Sequence, residues 1–255
     1  MSEYRTEREI KAAVIDRLFK KGEVCSDAVV ISEMVVDSWS RRADVVLANG
    51  KLSAFEVKSD FDTLSRLPGQ LESYCAHFER VVVVITPRFV KKVEEIAPEG
   101  VGIWVMEADG SEGIREKRRA RTVELTPDAA INLMTVTDLR RLLTANGVSG
   151  IACAARRDLE AMARDLTKKD LAVAARDSVK RRFRAHFKRF QSRRAQYGTR
   201  TALGALKRAQ RTIRVTPESP VDMDAPRVEI ARDNPMLIHS PVGPVLRRLR
   251  HSSSS

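Results

Sequence analysis

The chain has 255 residues, long enough to bury a sizeable core in one large domain or in a compact domain carrying an extension. Its formal net charge of +12 is unevenly spread: residues 1–110 hold 15 Lys/Arg against 19 Asp/Glu, net −4, and residues 111–255 hold 31 against 15, net +16. Cys25, Cys75 and Cys153 are an odd number without metal-ligand spacing, and no run reaches the roughly 18 apolar residues of a membrane span. A disulfide framework, a zinc site and a membrane span are therefore not expected, and the protein is expected to be cytoplasmic with reduced thiols.

Taken in order, Thr6–Lys20 places Ile10, Val14 and Leu18 at helical spacing behind a Thr6/Glu9 capping box, and Gly22 ends the helix. "DAVVISEMVVD" reads as a strand pair or as one irregular strand. "ADVVLA" and "KLSAFEVK" flank Asn49-Gly50, a strong short-range hairpin signal. "TLSRLPGQLESYCAHFE" predicts a helix starting or restarting at Pro68, because proline is tolerated in a first turn and not in a helix interior. "RVVVVIT" predicts a strand covered on both faces, "PRFVKKVEEIA" a short helix and "VGIWVMEA" a last buried strand. This order specifies an α/β sandwich with a central mixed sheet over residues 1–110.

From residue 111 the texture changes. "SEGIREKRRARTVEL" is a basic connector or edge hairpin, followed by helices at "PDAAINLM", "VTDLRRLLTANGV" and "ARRDLEAMARDL". A long helix capped by "TKKD" is expected to reach about Arg194, with a short basic helix at "ALGALKRAQRTI" after it, so that 111–214 form a mainly helical extension. From Val215 the chain holds six prolines and few large apolar residues, and it is expected to be disordered to its end.

The hairpin carries the chemistry. With a two-residue turn at Asn49-Gly50, both faces of the strand pair would mix charged and apolar residues. An odd-length loop with Gly50 left-handed changes the parity, placing Val45, Leu47, Phe55 and Val57 on one face and Asp44, Glu56 and Lys58 on the other. Two carboxylates on adjacent strands repel unless a cation lies between them, and Mg²⁺ suits one or two carboxylates plus phosphate oxygens. Lys58 could then orient a water or neutralise charge on a phosphate. The bland alternative is a salt-bridged, solvated sheet face.

Asp44 followed by Glu56-Val57-Lys58 on the next strand resembles the signature of the PD-(D/E)XK nuclease superfamily, with Arg42-Ala43-Asp44 in place of the usual Pro-Asp. "QLESY" adds Gln70 and Tyr74 one turn apart on the following helix, a pattern that superfamily often shows, and Glu9 supplies a first-helix acid. The continuation "KSDFDTLSRLPGQLESYCAHFERVVVVI" is similar to a small bacterial branch of it; the likeness spans about residues 5–107.

That resemblance implies a restriction-endonuclease-like α/β/α core hydrolysing DNA phosphodiesters with Mg²⁺, for which Mn²⁺ can substitute. It implies Asp44, Glu56, the Val57 carbonyl and Glu9 as metal ligands, Lys58 serving the attacking water, Gln70 supporting the site or touching DNA, and Glu33 and Tyr74 in support. Members of this kind often act as homodimers. A binding domain that keeps the fold without catalysis is the other reading. Glu9 as a plain cap, and Gln70 and Tyr74 as an exposed helix face, are the bland readings of those residues; Asp60 and Asp62 read as ordinary caps or as tuning groups.

"SVKRRFRAHFKRFQSRR" sets Val179, Phe183, Phe187 and Phe190 at helical spacing, a stripe read as core packing. Around it lie Arg181, Arg182, Arg184, Lys188, Arg189, Arg193 and Arg194, a basic face that needs an acidic counterpart. DNA is the expected one, with RNA second; the acidic first half of the chain and an anionic membrane surface are the alternatives. His77 and His186 are read as surface or packing residues.

Overall fold

The computed structural model describes residues 5–36, 41–107 and 113–207, together with the backbone of 237–240 and 243–246. Helix α1, Glu7–Lys20, begins at the expected capping box: the Thr6 side chain accepts from the Glu9 N–H, and Glu9 accepts from the Thr6 N–H. Its apolar face buries Ile10, Val14, Ile15 and Leu18. Six strands follow in spatial as well as chain order: β1 Val29–Val36, β2 Arg41–Ala48, β3 Leu52–Lys58, β4 Arg80–Ile85, β5 Gly102–Met106 and β6 Ile114–Arg118. Pairing is antiparallel through β1, β2 and β3, parallel through β3, β4 and β5, and antiparallel again to β6.

The parallel steps need crossovers, which α2 (Leu67–His77) and α3 (Val90–Ile96) supply. Strands β3, β4 and β5 are buried throughout β3 and β5 and at all but the first residue of β4, as continuous apolar runs in a doubly covered sheet should be. Helix α1 lies against β3 and β6, and α2 against β1, β2 and β4. Phe55 and Trp104 meet at 5.2 Å between ring centroids, and Arg17 of α1 lies 4.7 Å over the Trp104 ring.

The hairpin has the odd loop that the hydrophobic pattern required. Ala48 pairs with Leu52 and Val45 with Phe55, leaving Asn49, Gly50 and Lys51 in a three-residue loop. Gly50 has φ 103°, a conformation that side chains with a Cβ rarely adopt. β1 is the single irregular strand: Glu33, in its middle, has φ 59°. A non-glycine residue in that region costs about 1–2 kcal/mol, so its surroundings must hold it there.

The helical part comprises α4 Pro127–Leu133, α5 Val136–Ala145, α6 Arg156–Ala163 and α7 Lys168–Ala202. Helix α7 extends past Arg194 to Ala202, with a break at Gly198 (φ 75°, ψ 166°). Contacts do not divide near residue 110. Residues 1–209 form one compact unit, because β6 completes the sheet and α7 packs on β1, β2 and α1. Its aromatic stripe is core: Phe183, Phe187 and Phe190 are buried.

The junction is also ionic. Arg176 of α7 makes a two-pronged bond to Glu79, 2.6 and 3.0 Å, and the same carboxylate accepts the Leu52 N–H at 2.7 Å. Glu79 is buried just before β4, so this acid has a full set of partners.

Of the short basic helix expected after α7, a 3₁₀ turn forms at Leu203–Leu206, and residues 208–214 lie outside the described residues. The tail from Val215, expected to be disordered, also lies outside them except for β7, Leu237–Ser240, and β8, Gly243–Leu246, which pair antiparallel. In that pair Leu237-Ile238 and Val245-Leu246 are apolar in sequence and the register sets them opposite each other. Among the described residues no helix is long and apolar enough to cross a membrane.

Candidate active site at the fork between two strands

The ladder between β2 and β3 is paired from Ala48↔Leu52 to Val45↔Phe55 and no further. Beyond it, Asp44 takes the place of the missing backbone partner: its Oδ2 accepts the Val57 N–H at 2.8 Å. Asp44 and Glu56 therefore come together where the strands part, as the parity argument anticipates. Each carboxyl feels its environment. Burial pushes Asp44 above its ordinary range in spite of Lys11 and the Val57 N–H; burial and then the Asp44 charge push Glu56 up to about 7.

The Glu56 carboxylate bridges two elements. Its Oε1 accepts from Lys58 Nζ at 2.8 Å and its Oε2 from the Tyr74 hydroxyl at 2.9 Å. Lys58 Nζ also donates to Gln70 Oε1 at 2.9 Å. Lys58, Gln70 and Tyr74 thus form one network with Glu56, so the helix spacing of Gln70 and Tyr74 is no accident of an exposed face. Tyr74 is fully buried and also reaches the Arg42 carbonyl at 2.7 Å; burial and the Glu56 charge hold its hydroxyl protonated.

The first-helix acid differs from expectation. Glu9 is consumed by its cap and by Arg200, 3.0 Å away, and does not join the site. Glu7 does. One oxygen each from Glu7, Glu33 and Asp44 lies within 4.8 Å of the others. Lys11, one turn after Glu7, sends its ammonium group among them, bonding to Glu7, to Glu33 and to Asp44 Oδ1, the last at 2.9 Å. Burial alone would lower the Lys11 pKa, but these three acids outweigh it and hold the group firmly protonated.

Glu33, with its φ of 59°, is thus one of the three acids that the Lys11 ammonium holds, and Arg42 lies 3.8 Å from its other oxygen. Sequence reasoning missed Glu7 and Lys11. Their i, i+4 spacing on a helix whose capping acid was already identified was the available signal. Val57 contributes its N–H to Asp44. Asp62 accepts from the Ser59 N–H and hydroxyl, and Asp60 from the Arg5 N–H, so both organise the turn after β3.

The basic face of α7 is largely satisfied within the chain. Arg181 pairs with Asp138 at 2.8 Å, Arg184 with Asp27 at 2.7 Å and Arg194 with Asp16 at 2.7 Å, while Arg182 donates to the Leu133 carbonyl at 2.8 Å. Lys180 adds a second bond to Asp27. Asp138, bonded by Ser178, Thr135 and Arg181, stays ionised far below the usual range despite its burial. Lys188, Arg189 and Arg193 are exposed.

A family model described as bacteriophage P4 protein cII matches residues 1–207, which is the sheet and every helix described above. The chain belongs to the bacteriophage P4 protein cII family. Protein cII of Enterobacteria phage P4 is 37% identical to it over 196 residues, covering 76% of this chain and 74% of that protein. Among solved structures, the SPO1766 protein of unknown function from Silicibacter pomeroyi is similar, with 20% identity, coverage of 57% of this chain and 94% of the other, and a TM-score of 0.36.

In this cII-family chain the elevated Glu56 group has a pH signature. The unfolded chain releases the Glu56 proton near 4.5, whereas the folded chain keeps it to about 7. Between those values folding binds a proton, so stability conferred by this group is complete below the lower value and is lost as pH rises through the upper one. The unfolding temperature should therefore fall between about pH 5 and about pH 7 by more in the wild type than in Glu56→Gln, which has no proton to lose. Equal falls in the two proteins would contradict the shift.

Proposed function

We propose that this protein is a divalent-cation-dependent nuclease acting on DNA phosphodiesters. The observation that carries the reading is the meeting of Asp44, Glu56, Lys58 and Gln70 where β2 and β3 separate. The three-carboxylate cluster of Glu7, Glu33 and Asp44 is a hard oxygen donor set of the kind Mg²⁺ and Mn²⁺ take, with Glu56 beside it. A cation bound there would polarise a phosphate oxygen and acidify a water.

The chain's own groups do the positioning. Lys58 spends two of its three N–H donors on Glu56 and Gln70, which would leave the third for a water or a phosphate oxygen. Tyr74 clamps the other Glu56 oxygen, so the pair is held without freedom to rotate away. With Glu56 and Lys58 both buried, their interaction acts in a low-dielectric setting where fixed charge counts most.

A second reading is a nucleic-acid-binding protein that keeps this fold without catalysis, acting on DNA or RNA. The Lys11 ammonium favours it, because it already neutralises Glu7, Glu33 and Asp44 without any ion. Supercoiled plasmid incubated with the protein and Mg²⁺ or Mn²⁺ separates the two. Nicking that chelator abolishes supports the enzyme; retarded but uncut plasmid at every cation concentration supports the binder.

A further inference from the structure

From Ser178 to Ala202, α7 carries nine Lys/Arg and no acid. The structure sorts those nine by position. Lys180 and Arg184 go to Asp27, Arg181 to Asp138, Arg194 to Asp16 and Arg200 to Glu9, and Arg182 donates to a main-chain carbonyl. Lys188, Arg189 and Arg193 are exposed, and no partner is found for them among the described residues. Two of them, Arg189 and Arg193, stand one turn apart, where like charges repel.

The next position on the same stripe, again four residues on, is Tyr197, one of the few exposed large apolar side chains at 61% accessibility. Gly198 follows with φ 75° and ψ 166°, so the helical run breaks immediately after the tyrosine, a turn that a side chain bearing a Cβ would strain. Arg189 to Tyr197 covers about 12 Å of helix. The result is a strip of cations without partners among the described residues, ending in an exposed aromatic ring.

We infer that Lys188, Arg189, Arg193 and Tyr197 form a binding track for single-stranded nucleic acid, the cations meeting phosphates and the ring stacking on an unpaired base. A duplex offers the phosphates but keeps its base faces covered, so only a single strand uses both halves of the strip. An anionic lipid surface fits less well. A helix lying on a membrane inserts its apolar face, and the apolar face of α7, Phe183, Phe187 and Phe190, is already buried against the fold. The inference deepens the proposed function on its nucleic-acid side and does not depend on hydrolysis.

Fluorescence anisotropy of the full chain in chelator, where no cutting occurs, tests it with oligothymidine, oligouridine and a duplex of equal length. Tyr197→Ala is expected to weaken single-strand binding about tenfold, with little change on the duplex, and Tyr197→Phe is expected to restore it. Lys188→Ala/Arg189→Ala/Arg193→Ala should lower the slope of log affinity against log salt by about 2 on single strands. Equal losses on oligothymidine and oligouridine support a track that ignores the 2′-hydroxyl, and a loss confined to one of them supports a track for that strand alone. All four side chains are exposed, so unchanged circular dichroism is expected of every variant. Wild-type binding that Tyr197→Ala leaves unchanged would overturn the track alone. Absence of wild-type binding to any of the three oligonucleotides, or binding only to anionic vesicles, would overturn the nucleic-acid reading as well.

Discussion

Asp44→Asn and Lys58→Met are expected to lower cation-dependent nicking of supercoiled plasmid by about 10²–10³-fold each, the loss typical of removing one fixed charge from a phosphoryl or acyl transition state. The two should fail differently. Asp44 belongs to the carboxylate cluster, so Asp44→Asn should also raise the Mn²⁺ concentration needed for half-maximal activity. Lys58 touches Glu56 and Gln70 and none of the cluster acids, so Lys58→Met should lower the rate at saturating Mn²⁺ with little change in that concentration. Nicking by both variants at the wild-type rate would mean that any cutting in the preparation comes from elsewhere.

Lys11→Met should be the most destabilising single change at the site. The Lys11 side chain is 6% accessible and its ammonium is the common partner of Glu7, Glu33 and Asp44. Removing one member of a buried ionic cluster costs about 3–5 kcal/mol, because the remaining charges stay desolvated and now repel. Glu7 is half exposed and can turn to water, which places the expected loss at the lower end of that range. Two consequences are measurable by thermal unfolding. In chelator the variant should melt well below the wild type, and Mg²⁺ or Mn²⁺ should stabilise the variant more than the wild type, since the ion no longer competes with the ammonium for the same oxygens. A variant as stable as the wild type in chelator would show that Glu7, Glu33 and Asp44 do not depend on Lys11 for neutralisation.

Much of the sheet was legible because its constraints are local. Asn49-Gly50, with Val45, Leu47, Phe55 and Val57 as its apolar partners, admits one parity, and that parity brings Asp44 to Glu56 and Lys58. The spacing of Gln70 and Tyr74 pointed at the same network. The first-helix acid was misassigned for a largely local reason: Glu9 can cap Thr6 or serve the site, and the cap takes one of its oxygens while Arg200 takes the other. Glu7 and Lys11 acquire their meaning only when α1 is laid beside β1 and β2, which no single stretch encodes.

The basic helix shows the same limit more plainly. Its periodicity correctly put Phe183, Phe187 and Phe190 in the core, but a pattern of charges states what a helix presents and not what meets it. Asp16, Asp27, Glu79 and Asp138 are scattered over more than a hundred residues of sequence, and each turned out to receive an arginine of α7.

Those distant carboxylates bear on how the chain can be divided. Three of them belong to the first half and fasten the helix of the second, and one of the three, Glu79, simultaneously holds the main chain of β3. A cut near residue 110 would strip β6 from the sheet, leave acids on one fragment and arginines on the other, and bare the phenylalanine stripe to water. Opposite charge in the two halves is thus the signature of a single cooperative body, in which the apparent modularity of the sequence disappears on folding.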